Sequence, residues 1–303
     1  MPGLKTVKSN LLHNNEYVKR KTIVENYRLH AYSISRASGG RLFIMNRTNR
    51  FTTGQGKGPD AKTRGMISDF SHNSRKRLIQ FCSSINIEKI GLPDFVTLTY
   101  PAEWPEEPTK WKDQLRAFFM RFERLVPDYA LIWRIEPQKR GAPHFHIAVW
   151  GAGWLLTSEG KQWLSRQWFE VVGSGDEKHL RAGTSIEPVS TWGKWISYVS
   201  KYMAKVGDKS RKQVFDYDVG RYWGVRNKKR LQVDIETEAV SVEKFIRIRR
   251  VLKKMMDSEK RRRGLPVRKF NYNIEVPGLW CMLRPETAGA IMALFDNDGP
   301  LPF

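Results

Sequence analysis

The chain holds only two cysteines in 303 residues, Cys82 and Cys281. So few, so far apart, offer neither a disulfide framework nor a thiolate zinc site. Histidine is almost as scarce, at six, so a histidine pair at ligand spacing stands out. Acidic residues are outnumbered by basic ones, 31 to 53. No apolar run approaches the ~20 residues that span a bilayer, and the N-terminal stretch lacks the apolar core of a secretory signal. These shortages point away from a membrane and toward a reducing cytoplasm. A Gly-x-x-x-x-Gly-Lys-Ser/Thr phosphate loop is also missing. Gly54-Gln55-Gly56-Lys57-Gly58 has the wrong spacing, and Gly193-Lys194 is followed by Trp195. No fused nucleotide-driven helicase is expected.

What is present is apolar matter and positive charge. Hydrophobic residues make up 40% and aromatics 12% of the chain, enough for a real core. The formal net charge is +22, with a pI near 10.1. Such an excess suits a polyanionic partner, most simply nucleic acid; the alternative is a solvated, solubilising surface.

Local patterns predict mixed elements. Ser71 caps a helix over about 72–86, with Leu78, Ile79, Cys82 and Ile85 inward. Phe95 to Tyr100 is β-branched and aromatic, hence a strand. Thr109 is read as the cap of an amphipathic helix carrying Trp111, Leu115, Phe118, Phe119, Phe122 and Leu125 on one face. Tyr129–Glu136 and His144–Trp150 read as strands around the turn 137–143. Helices follow over about 158–172 and 191–206, with strand Thr184–Pro188 between them. Residues 220–240 suggest a hairpin or strand pair, and 241–263 a basic helix with Val242, Phe245, Ile248, Leu252 and Met255 as its apolar stripe. Residues 1–35 read as an arm, and 36–66 as basic loops around one short strand, Leu42–Met45. Neighbouring strands joined by short turns predict an α+β fold, an antiparallel β-sheet with flanking helices. The expected organisation is a basic N-terminal extension (1–69), a central domain (70–235) and a basic helical C-terminal extension (236–303).

His144-Phe145-His146 is the sharpest chemical feature. On a strand, residues i and i+2 share a face, so both imidazoles project together while Phe145 turns to the other side. If residues 137–143 form the turn, Glu136 sits opposite His144 and shares that face. Two histidines and a carboxylate can hold a metal ion and leave positions open for substrate. Spacing alone leaves open a hydrogen-bonded histidine pair instead. The second feature is Tyr198-Val199-Ser200-Lys201-Tyr202-Met203-Ala204-Lys205. On a helix Tyr198 and Tyr202 stack at i and i+4, with Lys201 and Lys205 on the adjacent strip. A phenol needs a nearby cation to act as a nucleophile. Taken alone, this segment also fits an amphipathic helix packing with Trp192, Trp195 and Ile196.

Together, Phe95–Pro101, Glu136–His146 and Tyr198–Lys205 resemble, in that order, motifs 1, 2 and 3 of the HUH endonucleases. The two-tyrosine third motif is similar to that of the gene A proteins of small isometric single-stranded DNA phages. Arg-Gly-Ala-Pro-His-Phe-His looks more like initiators of bacterial plasmids and filamentous phages. The resemblance spans roughly residues 70–235. It implies an HUH palm, with His144 and His146 binding Mg²⁺ or Mn²⁺ and Glu136 as third ligand. It implies Tyr198 and Tyr202 as nucleophiles, assisted by Lys201 and Lys205, with Thr97 and Thr99 on the strand beneath. The implied activity is rolling-circle replication initiation in a bacterial host. One strand of single-stranded DNA at an origin, commonly a hairpin, is nicked and rejoined through a 5′-phosphotyrosine, while a host helicase and polymerase do the rest. Tyr-x-x-Lys occurs twice in overlap, so one tyrosine alone can suffice. Rival readings are a transposase with the same chemistry, a non-catalytic DNA-binding repressor on a degenerate HUH domain, and a metallohydrolase without a covalent intermediate.

Residues 244–269 carry twelve Lys/Arg against Asp257 and Glu259. They are read as a DNA-backbone surface, against the alternative of a solvated helix. The 36–66 segment and Arg140 are candidates to line a strand path. Trp104, Trp150 and Trp154 are candidates to stack bases, though core packing is the commoner role of such residues.

Overall fold

The computed structural model describes residues 30–37, 42–49, 70–199, 218–233, 235–267 and 279–283, with a few further positions at 67, 215, 287, 289–291 and 293. The first half of the chain forms β1 (His30–Ala37), β2 (Leu42–Asn49), α1 (His72–Ser84), α2 (Ile87–Ile90), β3 (Asp94–Thr99), α3 (Pro108–Leu125), β4 (Ala130–Pro137) and β5 (Pro143–Trp150). Then come α4 (Ser158–Val172), α5 (Glu177–Ala182), β6 (Thr184–Pro188), α6 (Trp192–Tyr198), β7 (Trp223–Arg226), β8 (Ile235–Ala239), α7 (Val242–Arg262) and β9 (Leu279–Met282). The expected α+β class holds, with antiparallel strand pairing throughout and helices packed on the sheets. Among the described residues no helix is long and apolar enough to cross a membrane.

The elements divide into two compact units, Met1–Ala61 with Ile235–Phe303, and Lys62–Asp234. In the first, strands run in the order β8-β1-β2-β9. Phe245, Ile248 and Leu252 of α7 form a buried cluster with Ile34, Met45 and Cys281. Ser241 caps this helix, its hydroxyl accepting from the Lys244 N–H at 3.1 Å. Met255, expected in the apolar stripe, is 38% exposed; Met256 packs against the cluster in its place. The expected N-terminal (1–69) and C-terminal (236–303) extensions meet in this sheet, where β1 pairs with β8 and β2 with β9. β2 extends to Asn49, beyond the expected Met45, because it pairs with β1 along its whole length.

The second unit is a five-stranded sheet of order β6-β3-β5-β4-β7, with β5 at the centre. Its two faces bury different side chains. Leu98, Leu131, Phe145, Ile147 and Val149 meet Trp111, Leu115, Phe118 and Phe122 of α3 and Leu164 and Trp168 of α4. Phe95, Ile132, Ala148 and Trp150 meet Leu78 and Cys82 of α1 and Trp195 of α6. A central strand covered on both sides reads as apolar at every position, as β5 does from Phe145 onward apart from His146. Two sequence expectations are corrected. α3 starts at Pro108 with Glu107 as N-cap, not at Thr109; proline suits the first helical position because its missing N–H would have no partner there. Residues 220–240 do not form a hairpin, since β7 pairs with β4 and β8 with β1. Asn227 and Gln232 take positive φ on either side of a short 3₁₀ turn whose Leu231 is buried, and this redirects the chain.

Candidate active site on the central sheet

Sheet register gathers the predicted residues. His144 faces Glu136 on one side and Thr99 on the other; His146 faces Arg134 and Thr97. Directly opposed antiparallel residues share a face, so these six side chains line one end of one sheet face. α1 and α6 cover the other end of that face, over Phe95, Ala148 and Trp150. The polar end is therefore the part of the face these two helices leave to other chemistry.

The imidazoles of His144 and His146 lie edge to face, with ring centres 4.6 Å apart. Thr99 Oγ1 is 3.0 Å and Gln138 Nε2 3.3 Å from His144 Nδ1. With Nδ1 engaged, Nε2 is the nitrogen left to a ligand. Burial, reinforced by the His146 charge, lowers the His144 pKa to about 4 against the opposing pull of Glu136. The ring is neutral near pH 7, the form that binds metals. His146 Nε2 is 2.8 Å from Glu136 Oε1. Burial pushes the Glu136 carboxyl up, but the hydrogen bond with His146 and the charges of His146 and Arg134 outweigh it and hold the group below its ordinary range.

Arg134 is the site residue that sequence reasoning missed. Its side chain is 2% exposed, with Nη2 3.4 Å from Glu136 Oε2 and its guanidinium 4.7 Å over the Phe70 ring. The alternation Arg134-x-Glu136 on a strand was the available signal. The candidate strand-path and stacking residues fare differently. Trp150 is 5% exposed and its indole N–H donates to Gly91 O, so it is a core residue. Trp154 packs partly buried against the core. Trp104 lies under the Arg140 guanidinium.

Tyr198, at the end of α6, stacks on Phe95, and its ring centre is 6.4 Å from that of His146. One tyrosine of the pair thus stands beside His146. Lys201, Tyr202 and Lys205 lie outside the described residues.

Among the described residues no three His, Cys, Asp or Glu side chains stand in ligand geometry, and the Glu136 carboxylate is hydrogen-bonded to His146. The chemistry nevertheless fits a divalent cation. Glu136 Oε2 is buried and takes no hydrogen bond, its ion-pair partner being Arg134 Nη2 at 3.4 Å, and it belongs to an ionised carboxylate next to two imidazoles.

Comparison with known proteins follows the same stretch of chain. Residues 93–207, from just before β3 to just past Lys205, match the family described as replication-associated protein ORF2/G2P. The chain is 32% identical over 146 residues to the replication-associated protein G2P of Pseudomonas phage Pf3, covering 47% of this chain and 50% of that one. It is 28% identical over 143 residues to a putative replication protein of Xylella fastidiosa strain Temecula1, covering 47% and 52%. A putative replication protein of strain 9a5c matches at 28% over 144 residues, covering 47% and 48%. No solved structure matches. The chain spans about half the length of these curated relatives.

Proposed function

We propose that this protein initiates rolling-circle replication by nicking and rejoining one DNA strand through a tyrosine ester. The observation that carries the reading is that Glu136, His144 and His146 share one end of the sheet face with the Tyr198 ring 6.4 Å from that of His146, inside the stretch similar to replication-associated proteins. The substrate is single-stranded DNA at an origin, commonly a hairpin, in the cytoplasm of a bacterial host.

His144, His146 and Glu136 are the proposed holders of Mg²⁺ or Mn²⁺, which when bound supplies Lewis-acid polarisation of the scissile phosphodiester. Thr99 and Gln138 keep the His144 ring turned. Arg134 adds a fixed positive charge beneath the site, which favours an anionic substrate. The Tyr198 oxygen attacks phosphorus, the bond to the 3′ oxygen breaks, and that oxygen leaves as a hydroxyl with a proton. The 5′ end stays on tyrosine as a phosphodiester, so the bond energy is conserved for rejoining. Tyr202 serves as the second nucleophile and Lys201 and Lys205 as phosphate or tyrosinate partners. Strand unwinding and synthesis fall to a host helicase and polymerase. The basic face of α7, which includes the exposed Arg250, Lys254 and Arg261, is the proposed DNA-backbone surface.

The test is incubation with Mn²⁺ and labelled single-stranded DNA from the protein's own replicon, resolved on a denaturing gel. Wild type is expected to give a covalent adduct that EDTA abolishes and that Tyr198→Phe/Tyr202→Phe cannot form. An adduct that survives in the double variant, or no adduct on any origin-bearing strand, overturns the reading.

A further inference from the structure

We propose that Arg140 is a positioning residue for His144 and not a contact for the DNA strand. The proposal rests on the reading of His144 as a metal ligand. Arg140 lies in the β4–β5 turn. Its Nε donates to Gln138 Oε1 at 3.0 Å. Nη1 donates to Pro101 O at 2.6 Å and Ala102 O at 3.1 Å, and Nη2 to Tyr100 O at 2.5 Å. The guanidinium lies 5.0 Å from the Trp104 ring centre. Three successive carbonyls, one amide and an aromatic face thus engage four of the five N–H donors of this exposed residue, so no free fork is left to grip a phosphate in bidentate fashion.

The partners of this fork are the informative part. Gln138, whose Oε1 is taken by Arg140, turns its Nε2 toward His144 Nδ1. Tyr100, whose carbonyl takes Nη2, directly follows Thr99, whose hydroxyl is the other partner of His144 Nδ1. One guanidinium therefore anchors both groups that hold the His144 ring. Outer partners of this kind set the ring orientation and the nitrogen presented to a metal. The turn itself does not depend on Arg140. The Gln138 N–H donates to Ala142 O at 2.8 Å, the Gly141 N–H donates to Gln138 O at 2.9 Å, and Gly141 supplies the positive φ of 87°. Loss of the fork thus loosens the holders of His144 while the hairpin stays closed. Lysine, a point charge on a flexible stem, cannot replace a planar fork.

The test uses the full chain as wild type, Arg140→Ala, Arg140→Lys and Gln138→Leu. Binding of Mn²⁺ alone is read from the electron paramagnetic resonance of the free ion. Arg140→Ala and Arg140→Lys are both expected to weaken Mn²⁺ binding about 10- to 100-fold, the usual effect of losing an outer-shell partner. In metal-free protein, long-range ¹⁵N NMR of the histidine rings is expected to show His144 signals moved in the charge-keeping Arg140→Lys as well as in Arg140→Ala, whose lost charge alone already acts on the ring. Binding of an oligothymidylate in EDTA is expected to stay within about twofold of wild type with the same salt slope, because no phosphate contact is lost. Wild-type Mn²⁺ affinity in either Arg140 variant overturns the proposal, as does weaker oligothymidylate binding with a salt slope reduced by about 1. Should Arg140→Ala unfold by circular dichroism, Arg140→Lys and Gln138→Leu decide in its place. Should wild type bind no Mn²⁺, the metal reading falls. Arg140 is then judged by the His144 signals alone: unmoved signals overturn its positioning role and moved signals uphold it.

Discussion

Replacing Arg134 by methionine tests the electrostatic floor of the site. The Arg134 side chain is 2% exposed and that of Glu136 15%, and they approach to 3.4 Å. At an effective dielectric of about 20, unit charges at that separation attract by about 5 kcal/mol. Methionine removes this attraction but also the cost of burying the guanidinium, and truncating one member of a buried pair typically costs about 3–5 kcal/mol. The penalty should depend on pH in a defined direction. The Glu136 carboxyl is held below its ordinary value of 4.5, so it contributes stability that is present above that value and lost as pH falls through the lower folded-state pKa. Without Arg134 the folded-state pKa rises, and protonation removes the charge that the missing cation had balanced. The cost of Arg134→Met should therefore be full near pH 7 and shrink as pH falls to the ordinary carboxylate value of 4.5. Urea unfolding followed by tryptophan fluorescence measures it cleanly, since every tryptophan but Trp280 lies in the Lys62–Asp234 unit. Adding Glu136→Leu should recover much of the loss, since no buried charge is then left alone. A cost below about 1 kcal/mol near pH 7, or an equal cost at both pH values, would refute the reasoning.

Other perturbations read neighbouring links of the argument. Thr99→Val keeps the side-chain shape but removes the hydroxyl at His144 Nδ1; it should weaken Mn²⁺ binding about 10-fold or more by calorimetry while costing only about 1 kcal/mol in urea. Phe145→Ala empties a fully buried site among Tyr100, Trp133 and Trp168 on the face opposite the histidines; unfolding should show a loss of about 3–5 kcal/mol. Burial lowers the pKa of Lys112, which donates to Arg221 O, from 10.5 to about 7. Between those values the unfolded chain binds the extra proton, so stability should rise with pH through that window. Lys112→Met should flatten this slope in unfolding measured across it.

Much of the site was legible because it is local. The His144-x-His146 alternation sets both rings on one face whatever the fold, and a short turn forces Glu136 opposite His144. Helical stripes such as Trp111, Leu115, Phe118 and Phe122 specify which side of α3 is buried, and the structure buries it except at Leu125 in the last turn, which is 49% exposed. Arg134 escaped because its role depends on burial, and an arginine in sequence carries no mark of being 2% exposed. Residues 220–240 were misread as a hairpin because two strand-like runs separated by a short segment look paired until partners elsewhere claim them.

By itself the sequence determined the strand and helix periods, the shared face of His144, His146 and Glu136, and the basic character of the chain. These follow from backbone geometry and composition, which act over a few residues. Only the tertiary structure decided that β3 and β5 lie side by side, bringing Thr99 to His144 across 45 positions of chain. It also decided that α6 sets Tyr198 beside His146, and that Arg140 spends its donors on the carbonyls of Tyr100, Pro101 and Ala102. Each of these is a contact between distant segments, chosen by the packing of two apolar sheet faces, and no local pattern encodes which segments will meet.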